Sequence, residues 1–145
     1  GLRVAVVVAM FNDQITRRLA DGAIALAAEY GVRDGDLKVY WVPGAFEVPT
    51  AANWAARSGR FDAVICIGAV IRGDTAHFEY VAGGATEGIG RIALETGVPV
   101  IFGVLTVDNV EQAMSRAGGK DGHKGEEAAQ AAIEMANLRR LLRAD

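Results

Sequence analysis

Apolar positions fall into four short runs separated by stretches long enough to be helices. The runs are Leu2–Ala9 (LRVAVVVA), Leu37–Val42 (LKVYWV), Ala63–Ile71 (AVICIGAVI) and Val98–Val107 (VPVIFGVLTV). All four are rich in residues that favour strands. Three are almost continuously apolar, the pattern of strands covered on both faces. Between them, Asp13–Tyr30 places Ile15, Leu19, Ala23, Leu26 and Tyr30 at spacings of three and four, one face of a helix that stops at Gly31. Ala45–Ser58 is Ala-rich and stops at Gly59, and His77–Thr96 stops at Gly97, just before Pro99. A short helix is predicted near Val110–Ala117 and a long one from about Gly125 to Arg143. The long one has Glu126 and Glu127 in its first turn and Arg139, Arg140 and Arg143 in its last, which suits the helix dipole.

Strand alternating with helix predicts βαβ units. The expected fold is α/β: a three-layer α/β/α sandwich with a four-stranded parallel sheet flanked by helices, of flavodoxin-like type. The 145 residues make one domain, 1–145. In such sheets ligands bind beyond the carboxyl ends of the strands, so function is sought where strands hand over to helices.

Composition narrows the classes. Apolar residues make up 51% of the chain, which excludes disorder. Fifteen Lys+Arg against 18 Asp+Glu give a net charge of −3, without the basic excess of a nucleic-acid binder. No apolar run approaches the ~18 residues of a membrane span. The longest, Val4–Phe11, is strand-sized and follows no basic segment, so it does not read as a signal peptide. One cysteine and two histidines cannot build a structural zinc site, and they point to a reducing, cytoplasmic setting. Cys66 reads as a small core residue of a strand. The start at Gly1, in place of Met, reads as trimming.

The first strand-to-helix corner is Met10-Phe11-Asn12-Asp13. Asn12 or Asp13 can cap the following helix, and Phe11 is either packing or a surface on which a planar ligand stacks. The second is Val42-Pro43-Gly44-Ala45-Phe46-Glu47-Val48-Pro49. Pro43-Gly44 forces a turn, and Glu47 follows in a first helical turn, favoured there by the dipole or serving ligand hydroxyls. The third, Gly68 to His77, has the glycine spacing of a phosphate loop. The residue after the second glycine is Asp74, where a nucleotide site needs Lys, so an ATP or GTP site is rejected. There remain free backbone N–H groups around Gly73, the Thr75 hydroxyl and a helix N-terminus, which suit one small phosphate. His77 in the first helical turn is either structural or a proton-transfer group whose pKa the dipole lowers. The Gly88-x-Gly90 pair lies inside a helix and reads as close helix packing. The fourth corner, Thr106 to Gly125, reads as a flexible, cationic, Gly-rich loop. There Arg116 can grip a phosphate bidentately. Lys124 opposes the helix dipole, which points to something anionic or electron-rich beside it. His123 reads as exposed.

Together these corners resemble the 6,7-dimethyl-8-ribityllumazine synthase family, over essentially the whole chain. The landmarks are Phe11-Asn12, VPGAFEVP at 42–49, GAVIRGDTAHFEYV at 68–81 and GVLT at 103–106. They continue through Gln112-Ala113, Arg116 and Lys124-Gly125 to Glu134-Met135-Ala136-Asn137. The resemblance implies a transferase of riboflavin biosynthesis that condenses an aminopyrimidine bearing a ribitylamino chain with 3,4-dihydroxy-2-butanone 4-phosphate. The expected steps are a Schiff base, loss of phosphate and ring closure, without metal or organic cofactor. It implies that Phe11 stacks on the pyrimidine, with Asn12 close by. Ala45, Phe46 and Glu47 would hold the ribityl chain, and Ala69, Val70 and Ile71 the heterocycle edge. Gly73, Asp74 and Thr75 would take the phosphate, with Arg116 neutralising it. His77 would transfer protons, Lys124 would polarise the ring and Glu127 would complete the polar wall. Phe102 would come from a neighbouring subunit.

The resemblance also implies sites between subunits of a pentamer, and the short connection from Arg116 to Lys124 resembles members that close sixty subunits into a shell. Riboflavin synthase is a guest such a shell could hold. Relatives often carry an additional N-terminal strand, for most of which this chain starts too late. Rival readings are the archaeal-type riboflavin synthase, a non-catalytic phosphate- or flavin-binding module, and an engineered shell-forming carrier.

Overall fold

The computed structural model describes residues 1–144. The strands are β1 (Val4–Ala9), β2 (Leu37–Val42), β3 (Ala63–Ile71) and β4 (Val100–Val107). They form one sheet in the order β2-β1-β3-β4, and every pairing is parallel. The helices are α1 (Asp13–Glu29), α2 (Val48–Arg57), α3 (His77–Thr96), α4 (Val110–Ser115) and α5 (Lys124–Ala144). The expected three-layer sandwich is observed.

Alternation along the strands sorts side chains onto two buried layers. Val4, Val6, Val8, Ile65, Ile67 and Leu105 meet Leu19 and Ala23 of α1 and Ala129 and Ala132 of α5. Ala5, Val7, Val64, Cys66, Val100 and Val104 meet Val48 and Ala52 of α2 and Ile89 and Ile92 of α3. β1, inside the sheet, is buried at every position, whereas β2 is an edge strand exposed from Lys38 to Trp41. That is why LKVYWV is the least continuously apolar of the four runs.

The chain leaves β1 through α1 to reach β2 on one side, and leaves β3 through α3 to reach β4 on the other. Right-handed crossovers in opposite directions require opposite faces of the sheet. The carboxyl ends of β1 and β3 therefore flank the point where the strand order reverses, the usual position of a ligand crevice.

The boundaries differ from the sequence reading in informative ways. β1 and β4 begin two residues later than their apolar runs, because Leu2-Arg3 and Val98-Pro99 lead into the sheet without pairing as strand. Ala45–Glu47 forms a 3-10 turn before α2 starts. Residues 117–123 are not a flexible loop. They form a small antiparallel hairpin, β5 (Ala117–Gly119) and β6 (Gly122–His123), in which Gly118 and Gly122 adopt φ of 102° and 94°. Glycine supplies these conformations at little steric cost, so the glycines fix a shape here.

Candidate active site

At the crevice, Asn12 occupies the residue before α1 in a left-handed conformation, φ 66° and ψ 42°. Its side chain does not cap the helix, contrary to the sequence reading. The carboxamide Nδ2 instead donates to the Ala69 carbonyl of β3 at 2.9 Å. The Thr16 hydroxyl donates to the Ala9 carbonyl at 2.8 Å. Two carbonyls near the ends of neighbouring strands are thus satisfied from the start of α1. Phe11, held by its N–H to the Pro43 carbonyl at 3.0 Å, turns outward with 73% of its surface exposed.

The β2–α2 corner lies beside it. Ala45 is buried beneath the turn, while Phe46 is 59% exposed and Glu47 is exposed. The Phe46 ring lies against Gly84 of α3, where a methyl group would stand 2.6 Å from it. Gly88 accommodates Pro49 in the same way, at 2.7 Å, so the expected close packing around the α3 glycines holds at Gly88. Gly84 as the seat of Phe46 escaped the sequence reading, although its place in the Gly-rich 83–90 cluster was the available signal.

The end of β3 carries Ala69 and Val70, both buried, and Ile71, half-buried, and the turn to α3 follows. Gly73, Asp74, Thr75 and His77 are exposed, and the Thr75 hydroxyl accepts the His77 N–H at 3.3 Å. Arg72, which lies in the GAVIRGDTAHFEYV landmark without a role assigned from sequence, holds this turn. Its Nε lies 3.1 Å from Asp108 Oδ1, its Nη1 3.6 Å from Glu79 Oε1, and its guanidinium 4.5 Å above the Phe78 ring. Its N–H also extends the ladder to the Val107 carbonyl at 2.8 Å.

The remaining candidates gather elsewhere. Phe102, Arg116, Lys124 and Glu127 line one cavity of about 340 Å³ at the free edge of β4, together with Thr106 and Asp121. Lys124 Nζ stands 5.9 Å from the Phe102 ring, an electron-rich neighbour for the cation that opposes the α5 dipole. The hairpin brings Arg116 and Lys124 together, since the Lys124 N–H donates to the Arg116 carbonyl at 2.8 Å. Among the described residues, neither cation has a carboxylate oxygen within 4 Å. Asp121 was missed by the sequence reading, and only the hairpin pairing turns it toward this cavity.

The candidate residues therefore form two groups. Phe11, Asn12, Phe46, Glu47 and His77 belong to the ends of β1, β2 and β3, and none of them lines the cavity at β4. In the strand order β4 lies beside β3, two strands from β1 and three from β2, ~5, ~10 and ~14 Å at the usual strand spacing, so the aromatic residues of β1 and β2 stand farther from it than His77 at the β3 end.

His123 is half-buried, not exposed as the sequence reading has it. Its imidazole fills the notch over Gly22 of α1, where a methyl group would collide with the ring. Cys66 is fully buried in β3, and burial pushes its thiol pKa far up. Among the described residues, no group of three or more His, Cys, Asp or Glu is arranged to hold a metal ion, and no helix is long and apolar enough to cross a membrane.

The chain is thus an α/β protein with an outward aromatic and an exposed turn at the switch point and a cavity of mixed charge, Arg116 and Lys124 with Asp121 and Glu127, beside β4. A family model for 6,7-dimethyl-8-ribityllumazine synthase matches residues 1–140, and the chain belongs to that family. It is a family of transferases, with lumazine synthase activity in riboflavin biosynthesis.

Proposed function

We propose that the protein condenses 5-amino-6-(D-ribitylamino)uracil with 3,4-dihydroxy-2-butanone 4-phosphate to 6,7-dimethyl-8-ribityllumazine, releasing phosphate and water. Family membership supports the reaction. The observation that carries the residue assignment is the division of the candidates into an aromatic group and a cationic group.

In this reading Phe11 stacks on the pyrimidine and Asn12 fixes the adjoining wall. Ala45, Phe46 and Glu47 hold the ribityl chain, with Glu47 accepting its hydroxyl protons. Backbone groups of Ala69, Val70 and Ile71 meet the heterocycle edge. Gly73, Asp74 and Thr75 offer N–H and hydroxyl donors to the phosphate. His77 transfers protons during imine formation and phosphate loss. Arg116 neutralises the leaving phosphate, Lys124 polarises the ring and Glu127 completes the wall. Most of the acceleration comes from positioning and from electrostatic help to the leaving group.

Within one copy the aromatic group does not line the cavity that holds the other group, and in this reading each site is formed where the aromatic group of one copy meets the cationic group of its neighbour. Phe102 then arrives from the neighbour together with Arg116, Lys124 and Glu127, because these four share one cavity. Such head-to-tail contacts close into rings. We assign the ring as a pentamer, twelve of which close into a sixty-subunit shell able to hold a guest such as riboflavin synthase. A reducing cytoplasmic setting accords with the one buried thiol.

The test mixes purified protein with both substrates and follows lumazine fluorescence and phosphate release. Both should rise in step, faster than the spontaneous condensation. A folded, assembled protein that accelerates neither would overturn the reading in favour of a non-catalytic binding module or a carrier shell.

A further inference from the structure

The hairpin that brings Arg116 and Lys124 together is braced by Ser115 and Asp121, whose side chains are 2.9 Å apart, and by a side chain that the reaction does not use, His123. The His123 imidazole lies over Gly22 of α1, and a methyl group on Gly118 would stand 3.3 Å from its Cδ2. Its Nδ1 accepts the Glu126 N–H at 3.1 Å. That N–H belongs to the first turn of α5 and lacks a partner within the helix. The ring is therefore clamped from three sides: by α1 below, by the hairpin strand beside it, and by α5 through the hydrogen bond. The same turn carries Lys124 and Glu127, which line the cavity beside β4. Gly125, buried between them, has its Cα against the Leu19 carbonyl of α1, where a methyl group would collide. The first turn of α5 is thus seated closely on α1, and two bonds tie it to the hairpin: Lys124 N–H to the Arg116 carbonyl at 2.8 Å, and Glu126 N–H to His123, the one of the two made by a side chain.

We propose that His123 is a positioning residue that sets the first turn of α5, and through it Lys124 and Glu127, against Arg116. The inference rests on the reaction reading above for its kinetic consequence but not for its structural one. Displacing a group by ~1 Å in a positioned site can cost ~100-fold in rate, so a small rotation of this turn is enough.

Four variants of the full chain test it: H123A, H123N, G22A and the G22A/H123A pair. Asn offers an amide oxygen where the imidazole offers Nδ1, and it is a strong residue before a helix. Turnover per folded subunit is measured well below every thermal midpoint, together with hydrogen exchange at the Glu126 amide. H123A should exchange that amide about tenfold faster and lower kcat about tenfold. H123N should recover most of both. G22A should lower kcat in the parent protein and add nothing once His123 is Ala, because the obstructing ring is then gone. The proposal is overturned if H123A leaves kcat and exchange unchanged, if H123N behaves as H123A, or if the G22A and H123A effects simply add. Should the parent protein show no turnover, the reaction reading falls by itself. Exchange at Glu126 across the same variants then decides the positioning role.

Discussion

Asn12 and Ala69, fifty-seven residues apart, are joined by a 2.9 Å hydrogen bond from the Asn12 carboxamide to the Ala69 carbonyl. The bond crosses the point where the strand order reverses, and it requires Asn12 to sit at φ 66°. Asn tolerates that conformation better than most residues with a side chain, and its short carboxamide reaches the next strand.

Substitution separates the two contributions. N12A loses the hydrogen bond and keeps a Cβ in the left-handed region, at about 2 kcal/mol in all. N12G loses only the bond, at about 1 kcal/mol. Urea unfolding should rank the parent above N12G and N12G above N12A. Equal losses for the two variants would show that the backbone conformation carries no energy here.

His77 is exposed at the start of α3, and among the described residues its side chain makes no hydrogen bond that its replacement would break. H77A should therefore fold as the parent does and still bind substrate, while turnover falls ~100-fold or more, the usual contribution of a general acid–base group. Parent-like kcat in H77A would remove His77 from the chemistry.

Burial accounts for the raised thiol pKa of Cys66 and removes it from solvent. A thiol reagent at pH 8 should leave the native protein unlabelled and label the chain fully in denaturant, since the reactive species is the thiolate. Rapid native labelling would mean that β3 opens far more readily than its two covered faces suggest.

Gly125 gives a sharp packing prediction. Its Cα lies directly against the Leu19 carbonyl, so G125A must push α5 away from α1. Over-packing of this kind costs about 3 kcal/mol, and the displacement carries Lys124 with it. Thermal unfolding and activity should both fall. A G125A protein with parent stability would contradict the helix contact.

Much of this was legible in the sequence, and the exceptions have physical causes. β1, β3 and β4 announce themselves because strands buried on both faces must be apolar throughout. The corners follow from the strand-to-helix alternation. The 117–123 hairpin does not announce itself, because two- and three-residue strands of Gly, Ala and His have no apolar period. Asn12 reads as a helix cap because nothing local reveals Ala69 across the sheet. Lys124 opposing its helix dipole did hint at an electron-rich neighbour, and Phe102 is that neighbour. The separation of the site residues between the switch point and the β4 cavity arises from how distant segments fold together, which motifs met one at a time along the chain do not display.

The most direct test of that separation uses two impaired variants, H77A and R116A, refolded or co-expressed together. If each site draws one group from each of two copies, an H77A chain can lend its intact cationic group to the intact aromatic group of an R116A neighbour. Random mixing in equal amounts should then restore about a quarter of the sites, with activity to match. Mixed assemblies no more active than either variant alone would mean that each chain builds its site from its own residues, and the interfacial account would be wrong.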